Sequence, residues 1–297
     1  MQPMRMLIAA CVLMAVGASG AAAQRAALEV GRDSALLLQL DSGTLIVQTW
    51  DQDRVQVEVF AEGPARLDLR QRGRRVHGTV TGEMGHPIEA DVEVRVPDWM
   101  PLEIEGRELD CDLEQPGSNV EVRVLGGDLM LQGGRGEVRI RSVHGAVTLR
   151  GTSGEIDVHA TNGDIRIRDV EGNIVAESVH GDIRIEGALA HEAELVTTSG
   201  DVLYDGSIES RGNYLFSTHD GDVRLTVPPD VSALVEIETY YGDVSATGAR
   251  LERALVEVRR DREYRLELGA AEARVRIRNF RGDVELYDLK SGHRKGR

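Results

Sequence analysis

Glycine returns at positions 127, 136, 145, 154, 163, 172 and 181 of this 297-residue chain, a strict nine-residue step. That step constrains the fold more than any composition figure, because it fixes where the backbone can bend. Between the glycines the sequence alternates. In "GDIRIRDVE" (163–171), Ile165 and Ile167 fall on one side, and Asp164, Arg166 and Arg168 on the other. Period-two alternation marks a strand with one buried face. Later glycines at 200, 221, 242 and 282 follow steps of 19, 21, 21 and 40. The first three are near twice nine, so the unit is about 18–21 residues and holds two strands. No proline interrupts the chain between Pro116 and Pro228, as an unbroken hydrogen-bonded ladder requires.

The fold class this predicts is all-β, a β-solenoid or β-helix-like stack with two strands per coil. The spacing places Gly145, Gly163, Gly181, Gly200, Gly221 and Gly242 in succession along one edge, and Gly136, Gly154 and Gly172 along the other. In the later coils the second face falls to "AELVTT" (193–198), "NYLFST" (213–218) and "ALVEIET" (233–239). Arg139 is expected beside Asp157 one coil on. Residues 34–125 are also strand-rich, but irregularly spaced, with prolines at 64, 87, 97, 101 and 116. They read as an irregular β cap or the start of the same solenoid, since an open coil exposes strand edges. Only "EGALAHEAEL" (186–195) carries a helix signal, enough for a turn or two.

The N-terminus reads as a secretory signal peptide over 1–23: Arg5, an apolar run from Met6 to Val16, and Ala21-Ala22-Ala23 before Gln24. A rival reading is lipidation at Cys11, which lies early, inside the apolar run. The division expected is therefore 1–23 signal peptide, 24–125 strand-rich cap, 126–288 glycine-repeat solenoid and 289–297 basic tail. After cleavage no apolar segment is left that could span a bilayer as a helix. The formal net charge of −15 becomes −16 once Arg5 is removed, which opposes nucleic-acid binding. One cysteine remains, Cys111 in "LDCDLE", so no intrachain disulfide can form. Alternation and acidic neighbours make it a half-buried, inert thiol.

Four motifs in order carry a resemblance: "GTLIVQTWDQDRVQVEVF" (43–60), "VEVRVPDWMPLEIEG" (92–106), the G-D-[IV]-x-[IVL] repeats, and "YRLELGAAEARVRIRNFRGDVELYDL" (264–289). The chain resembles the bacterial putative adhesin family over about residues 40–288. That resemblance implies an all-β, solenoid-like fold in an envelope protein of unassigned function, similar to adhesin head domains. It supplies no catalytic motif to transfer.

Candidate sites are few. An acidic column follows the corner glycines: Asp128, Asp164, Asp182, Asp201, Asp222, Asp243 and Asp283. Adjacent coils lie about 4.8 Å apart, so these carboxylates repel unless cations, arginines or amides compensate. One reading is a cation edge at Asp164, Asp182, Asp201, Asp222 and Asp243. The plainer reading is that each accepts turn N–H bonds or faces water. Calcium binding by a glycine-rich nonapeptide needs an aspartate where "GGRGEVRIR" (133–141) has Val138. His144 and His180 stand in matching "SVHG" repeats two coils apart, too far to share a metal. His159 and His219 show no ligand spacing either, so no metal site and no cofactor is expected. The one place for carboxylate catalysis is the longer loop "YDGSIESRGN", with Asp205, Glu209 and Arg211, together with Asp230. No G-x-S-x-G, H-E-x-x-H or Walker pattern occurs. Tyr204, Tyr214, Tyr240 and Tyr241 gather in the wider coils, as a ligand surface or as staples between coils.

These observations point to an exported, non-catalytic structural or adhesion-type binding module, in the periplasm or on the outer cell surface. An envelope polysaccharide, a protein partner or a second copy of the chain are the partners expected. The alternatives are a carbohydrate-active enzyme on a β-helix scaffold and a periplasmic regulatory partner in envelope stress.

Overall fold

The computed structural model describes residues 14–16, 22–260 and 262–288. Most of the proposed signal peptide, including Cys11, and the basic tail from 289 lie outside them. Among the described residues strands dominate, with one six-residue α-helix, Ala249–Ala254. The chain divides into two compact units, Met1–Arg135 and Gly136–Arg297.

In the second unit, successive coils repeat in parallel register. On one face Ile156, Ile174, Ala193, Tyr214, Val275 and Val235 form a ladder, each paired with the next. On the other face run Val147, Ile165, Ile183, Val202, Val223, Val284 and Val244. All of these are buried except Val244, which is half-buried. Each buried large aliphatic side chain contributes about 1.5–3 kcal/mol. The alternation legible in the sequence is thus the alternation of core and surface.

Glycine at the corners is a steric requirement. A Cβ on Gly163 would lie 1.9 Å from the carbonyl oxygen of Gly145, and one on Gly154 would lie 2.1 Å from that of Gly136. Beside the glycine column runs a buried polar column that satisfies the corner carbonyls. Ser178 Oγ donates to Gly163 O at 3.2 Å, Thr197 Oγ1 to Gly181 O at 3.1 Å and Thr218 Oγ1 to Gly200 O at 2.9 Å. Asn279 Nδ2 does the same for Gly221 at 3.1 Å.

The coil order departs from the spacing. Gly221 and Gly242 are not neighbours. The coil made of Ala273–Arg281 and Val284–Asp288 lies between the coil of Asn213–Asp220 and Val223–Val227 and that of Ala233–Tyr241 and Val244–Thr247, parallel to both. The reason lies in the segment between 242 and 282. Its strand Glu263–Leu268 pairs antiparallel with Ala233–Tyr241 and takes one edge of it. Leu255–Arg259 then pairs on Glu263–Leu268. The other edge of Ala233–Tyr241 is left for Ala273–Arg281. That segment fits the slot because Asn279, Gly282 and Asp283 match the polar, glycine and aspartate columns on either side. The helix Ala249–Ala254 buries Leu251, and Arg250 ties it down through Pro228 O at 2.9 Å and Asp288 at 2.8 Å. The helix signal read over 186–195 does not form a helix. Ile183–Ala188 and Glu192–Ser199 are strands, because ladder pairing on both sides outweighs local alanine propensity.

The first unit shows the same device. Ser42–Trp50 pairs in parallel with Glu89–Pro97 on one side and Leu102–Glu114 on the other. Ala35–Gln39 likewise lies between Arg75–Thr81 and Leu102–Glu114. Antiparallel strands add to this set: Arg54–Ala61 on Glu89–Pro97, Ala22–Glu29 on Arg54–Ala61, Met14–Val16 on Ala22–Glu29, and Arg66–Arg72 on Arg75–Thr81. The Gln24 side chain links two of them, accepting from Leu67 N at 2.9 Å and donating to Ala65 O. Cys111 sits in the buried ladder Val92, Leu45, Cys111, Leu129. Burial first, then the Asp110 charge, pushes its thiol up to about 12.

Candidate functional site

The corner aspartates of the second unit form a latch. Asp182 N donates to Asp164 Oδ1 at 3.0 Å, Asp201 N to Asp182 at 2.9 Å and Asp222 N to Asp201 at 3.0 Å. The series continues through the intercalated coil: Asp283 N to Asp222 at 2.9 Å, then Asp243 N to Asp283 at 2.9 Å. The second oxygens of the first four meet arginines. Arg166 reaches Asp164 at 2.6 Å and Arg184 reaches Asp182 at 2.9 Å. Arg224 bridges Asp201, Asp222 and Glu285 at 2.9, 2.7 and 2.9 Å. In the first unit Asp128 N makes the same bond to Asp110 at 2.8 Å. Amides and arginines thus supply the compensation that stacked carboxylates need. Among the described residues, no group of three or more His, Cys, Asp or Glu side chains is arranged to hold a metal ion.

The histidines serve different neighbours. His144 Nδ1 lies 3.3 Å from Asn162 Nδ2. His159 sits between Asp157 at 2.6 Å and Glu177 at 2.9 Å, and Arg139 reaches that same Asp157 at 3.7 Å. His219 stacks on Phe280 with ring centroids 4.4 Å apart.

The four tyrosines split into two pairs. Tyr204 and Tyr214 are fully buried, so neither belongs to a ligand surface. With Phe216 they form an internal aromatic cluster, Tyr204 to Phe216 at 5.0 Å and Tyr204 to Tyr214 at 6.0 Å. Their hydroxyls satisfy the long loop: Tyr204 donates to Ser207 O at 2.8 Å and Tyr214 to Ala190 O at 2.5 Å, while Glu209 N donates to Tyr214 at 2.8 Å. Burial raises both phenols, that of Tyr214 to about 12. Tyr240 and Tyr241 are 54% and 64% exposed. Both contact Phe280, at 5.5 and 5.4 Å, and Arg262 lies over the Tyr240 ring at 5.3 Å. His219, Phe280 and Tyr240 therefore make an aromatic row across three coils, clasping the intercalated one.

The catalytic candidates Asp205, Glu209, Arg211 and Asp230 are all exposed and lie at two separate turns. Burial, then the Glu186 charge, raises the Asp205 carboxyl, and a hydrogen bond with Thr226 opposes this. Arg211 takes a positive φ of 63° at the loop's turn. Ser210 bonds Glu272. Asp230 is in the turn whose Pro228 and Pro229 carbonyls Arg250 holds.

One groove was not visible in the sequence. On the outer side of strands Ala233–Tyr241, Glu263–Leu268 and Ala273–Arg281 lies a depression of about 230 Å³. Three carboxylates (Glu236, Glu238, Glu263) and three arginines (Arg265, Arg276, Arg278) line it, with Val258 and Tyr264. Glu236 stands in register between Arg276 and Arg265. Arg278 pairs with Glu238 at 3.5 Å. In the first unit a shallow acidic groove of about 420 Å³ runs past Ile46, Phe60, Asp91 and Glu93.

Residues 34–287 match the family described as Toastrack DUF4097. The chain belongs to the Toastrack family. A solved structure, a putative cell adhesion protein from Clostridium sporogenes, aligns over 95% of this chain and 100% of its own, at 11% identity and a TM-score of 0.24. No curated protein matches. The family fits the β-repeat resemblance read from the motifs. It is an all-β, solenoid-like fold, and no helix among the described residues is long and apolar enough to cross a membrane.

Proposed function

We propose that this Toastrack chain is an exported, non-catalytic binding module of the adhesion type, acting in the bacterial envelope. The signal-peptide pattern over 1–23 supports export. The observation that carries the non-catalytic reading is the corner latch. The longest array of carboxylates is committed to backbone amides and, at four of its positions, to arginines. Carboxylate catalysis instead needs a pair held free across a substrate bond. The coils of about 18–21 residues provide the scaffold. The antiparallel strands at 54–61 and 66–72, and the hairpin with its helix at 249–268, are its caps, covering edges that would otherwise pair with other chains.

The test has two parts. Fractionation of cells making the tagged chain should place a form beginning at Gln24 in the envelope fraction. Purified mature chain should then bind envelope material without releasing soluble products. Retention of the uncleaved chain in the cytoplasm would overturn export, and steady product release would overturn the non-catalytic reading.

A further inference from the structure

The groove between Ala233–Tyr241, Glu263–Leu268 and Ala273–Arg281 contains polar groups that the fold leaves unused. Glu236 lies between two arginines in register and bonds to neither. Arg276 Nε is buried without a partner, and its Nη2 meets only Asn213 Oδ1, at 3.5 Å. The Nε has almost no exposed surface, so what Arg276 offers a polar guest is its Nη groups, held by that one long bond alone. The lining balances three carboxylates with three arginines. That balance offers no net attraction to a polyanion or to a polycation.

What the lining does offer is paired acceptors and paired donors at close range. A carboxylate accepts two hydrogen bonds and a guanidinium donates a fork of two. Adjacent hydroxyls of a sugar ring present this pattern of donor and acceptor. Tyr240 follows Glu238 on the same face of its strand, about 6.8 Å further along, and is 54% exposed. Tyr240 is not itself part of the lining, but its exposed amphipathic ring is the next along that face after Glu238. An extended peptide fits less well. Strand addition requires a free edge; Ala233–Tyr241 is paired on both edges, and the outer strand Leu255–Arg259 is separated from it by Glu263–Leu268. The volume of about 230 Å³ is below the roughly 300–1,000 Å³ of pockets that engulf a ligand. The groove therefore suits one residue of a longer chain lying across the surface.

We propose that this groove binds one sugar residue of a neutral glycan chain, with Glu236 and Arg276 bonding its hydroxyls and Tyr240 next along the face. This rests on the binding-module reading and names its ligand class.

The experiment is calorimetric titration of the full mature chain with neutral hexose and N-acetylhexosamine oligomers. A uronic acid oligomer and an extended peptide serve as comparators. The unaltered chain should bind a neutral oligomer equally at low and high salt, because no net charge is screened. Glu236→Gln and Arg276→Lys should each weaken binding about tenfold. Glu236→Gln should leave the unfolding midpoint unchanged, since Glu236 has no partner to lose. Hydrogen exchange on the unaltered chain gives a second reading, with protection on glycan addition confined to 233–241 and 263–278. Neutral-glycan binding that both variants retain would overturn the proposal, as would preference for the acidic oligomer or the peptide. If no glycan binds while envelope material still does, the glycan site fails and the binding-module reading stands. If envelope material is not bound either, both fail.

Discussion

The corner glycines allow a sharp test of why the nine-residue step exists. In Gly163→Ala the new Cβ would sit 1.9 Å from Gly145 O, 2.9 Å from its carbonyl carbon and 3.5 Å from its nitrogen. An ordinary contact is 3.4–4 Å and real Cβ atoms essentially never come within 3.0 Å, so the coils must part by more than about 1 Å at this corner. The coil spacing is about 4.8 Å and is set by ladder hydrogen bonds. Opening it weakens the bond from Val147 N to Asp164 O, 2.9 Å long across the same gap, and any shift of the Gly163 carbonyl disturbs its bond from Ser178. Overpacking of this kind costs about 1–3 kcal/mol, and each disturbed hydrogen bond adds about 1 kcal/mol. The expected loss is about 3–4 kcal/mol. Gly73→Ala is the control. Its φ is +62°, but nothing lies within 4 Å of the added Cβ, so only the left-handed backbone penalty of about 1–2 kcal/mol applies. Urea unfolding followed by circular dichroism compares the two. If Gly163→Ala loses no more than Gly73→Ala, close approach is not what the corner requires and the steric argument is wrong.

Other outcomes follow from the same structure. Asp182→Ala removes the acceptor for Asp201 N and should destabilise by about 1–2 kcal/mol, whereas Asp182→Asn keeps an acceptor oxygen and should lose less than half of that; equal losses in thermal melts would contradict the latch. Tyr214→Phe deletes the hydroxyl bonded to both Ala190 O and Glu209 N and should cost about 1–3 kcal/mol, with faster exchange at the Glu209 amide as the local signature. The Cys111 thiol is raised from 9.0 to about 12 in the folded chain, so the unfolded state gives up its proton first as pH rises. Its contribution to stability is intact below about 9 and is lost between about 9 and 12. Cys111→Ala or Cys111→Ser should flatten that part of the pH–stability profile, and the native thiol should resist alkylation at pH 8.

Local repetition is what made the coils legible. A glycine, an acidic residue and two alternating aliphatics are enough to place Ile165 against Ile183, because each coil copies the last. The intercalated coil was not legible. The 40-residue step from Gly242 to Gly282 gives distance along the chain and says nothing about which neighbour a coil will choose. The placement of Tyr204 was available in principle: it shares the parity of Val202 in "VLY", so alternation alone turns it inward. Tyr214 shares the parity of Phe216 in the same way. The groove around Glu236 had no such signal. It is assembled from three segments, and the antiparallel turn of Glu263–Leu268 brings Arg265 to it without any fixed spacing.

The intercalated coils also set the order in which the chain can finish folding. Residues 273–288 are synthesised after both coils they separate. Until they arrive, the facing edges of Asn213–Asp220 and Ala233–Tyr241 stay bare, or close on each other in a register that must later be undone. At the other end, Ser42–Trp50 waits uncovered for partners that begin at Glu89 and Leu102. The front is thus closed once residue 114 is out, whereas the back is completed only when its intercalated coil arrives. A chain ended after Leu268 should therefore be cut by protease between 213 and 247, at sites the full chain protects.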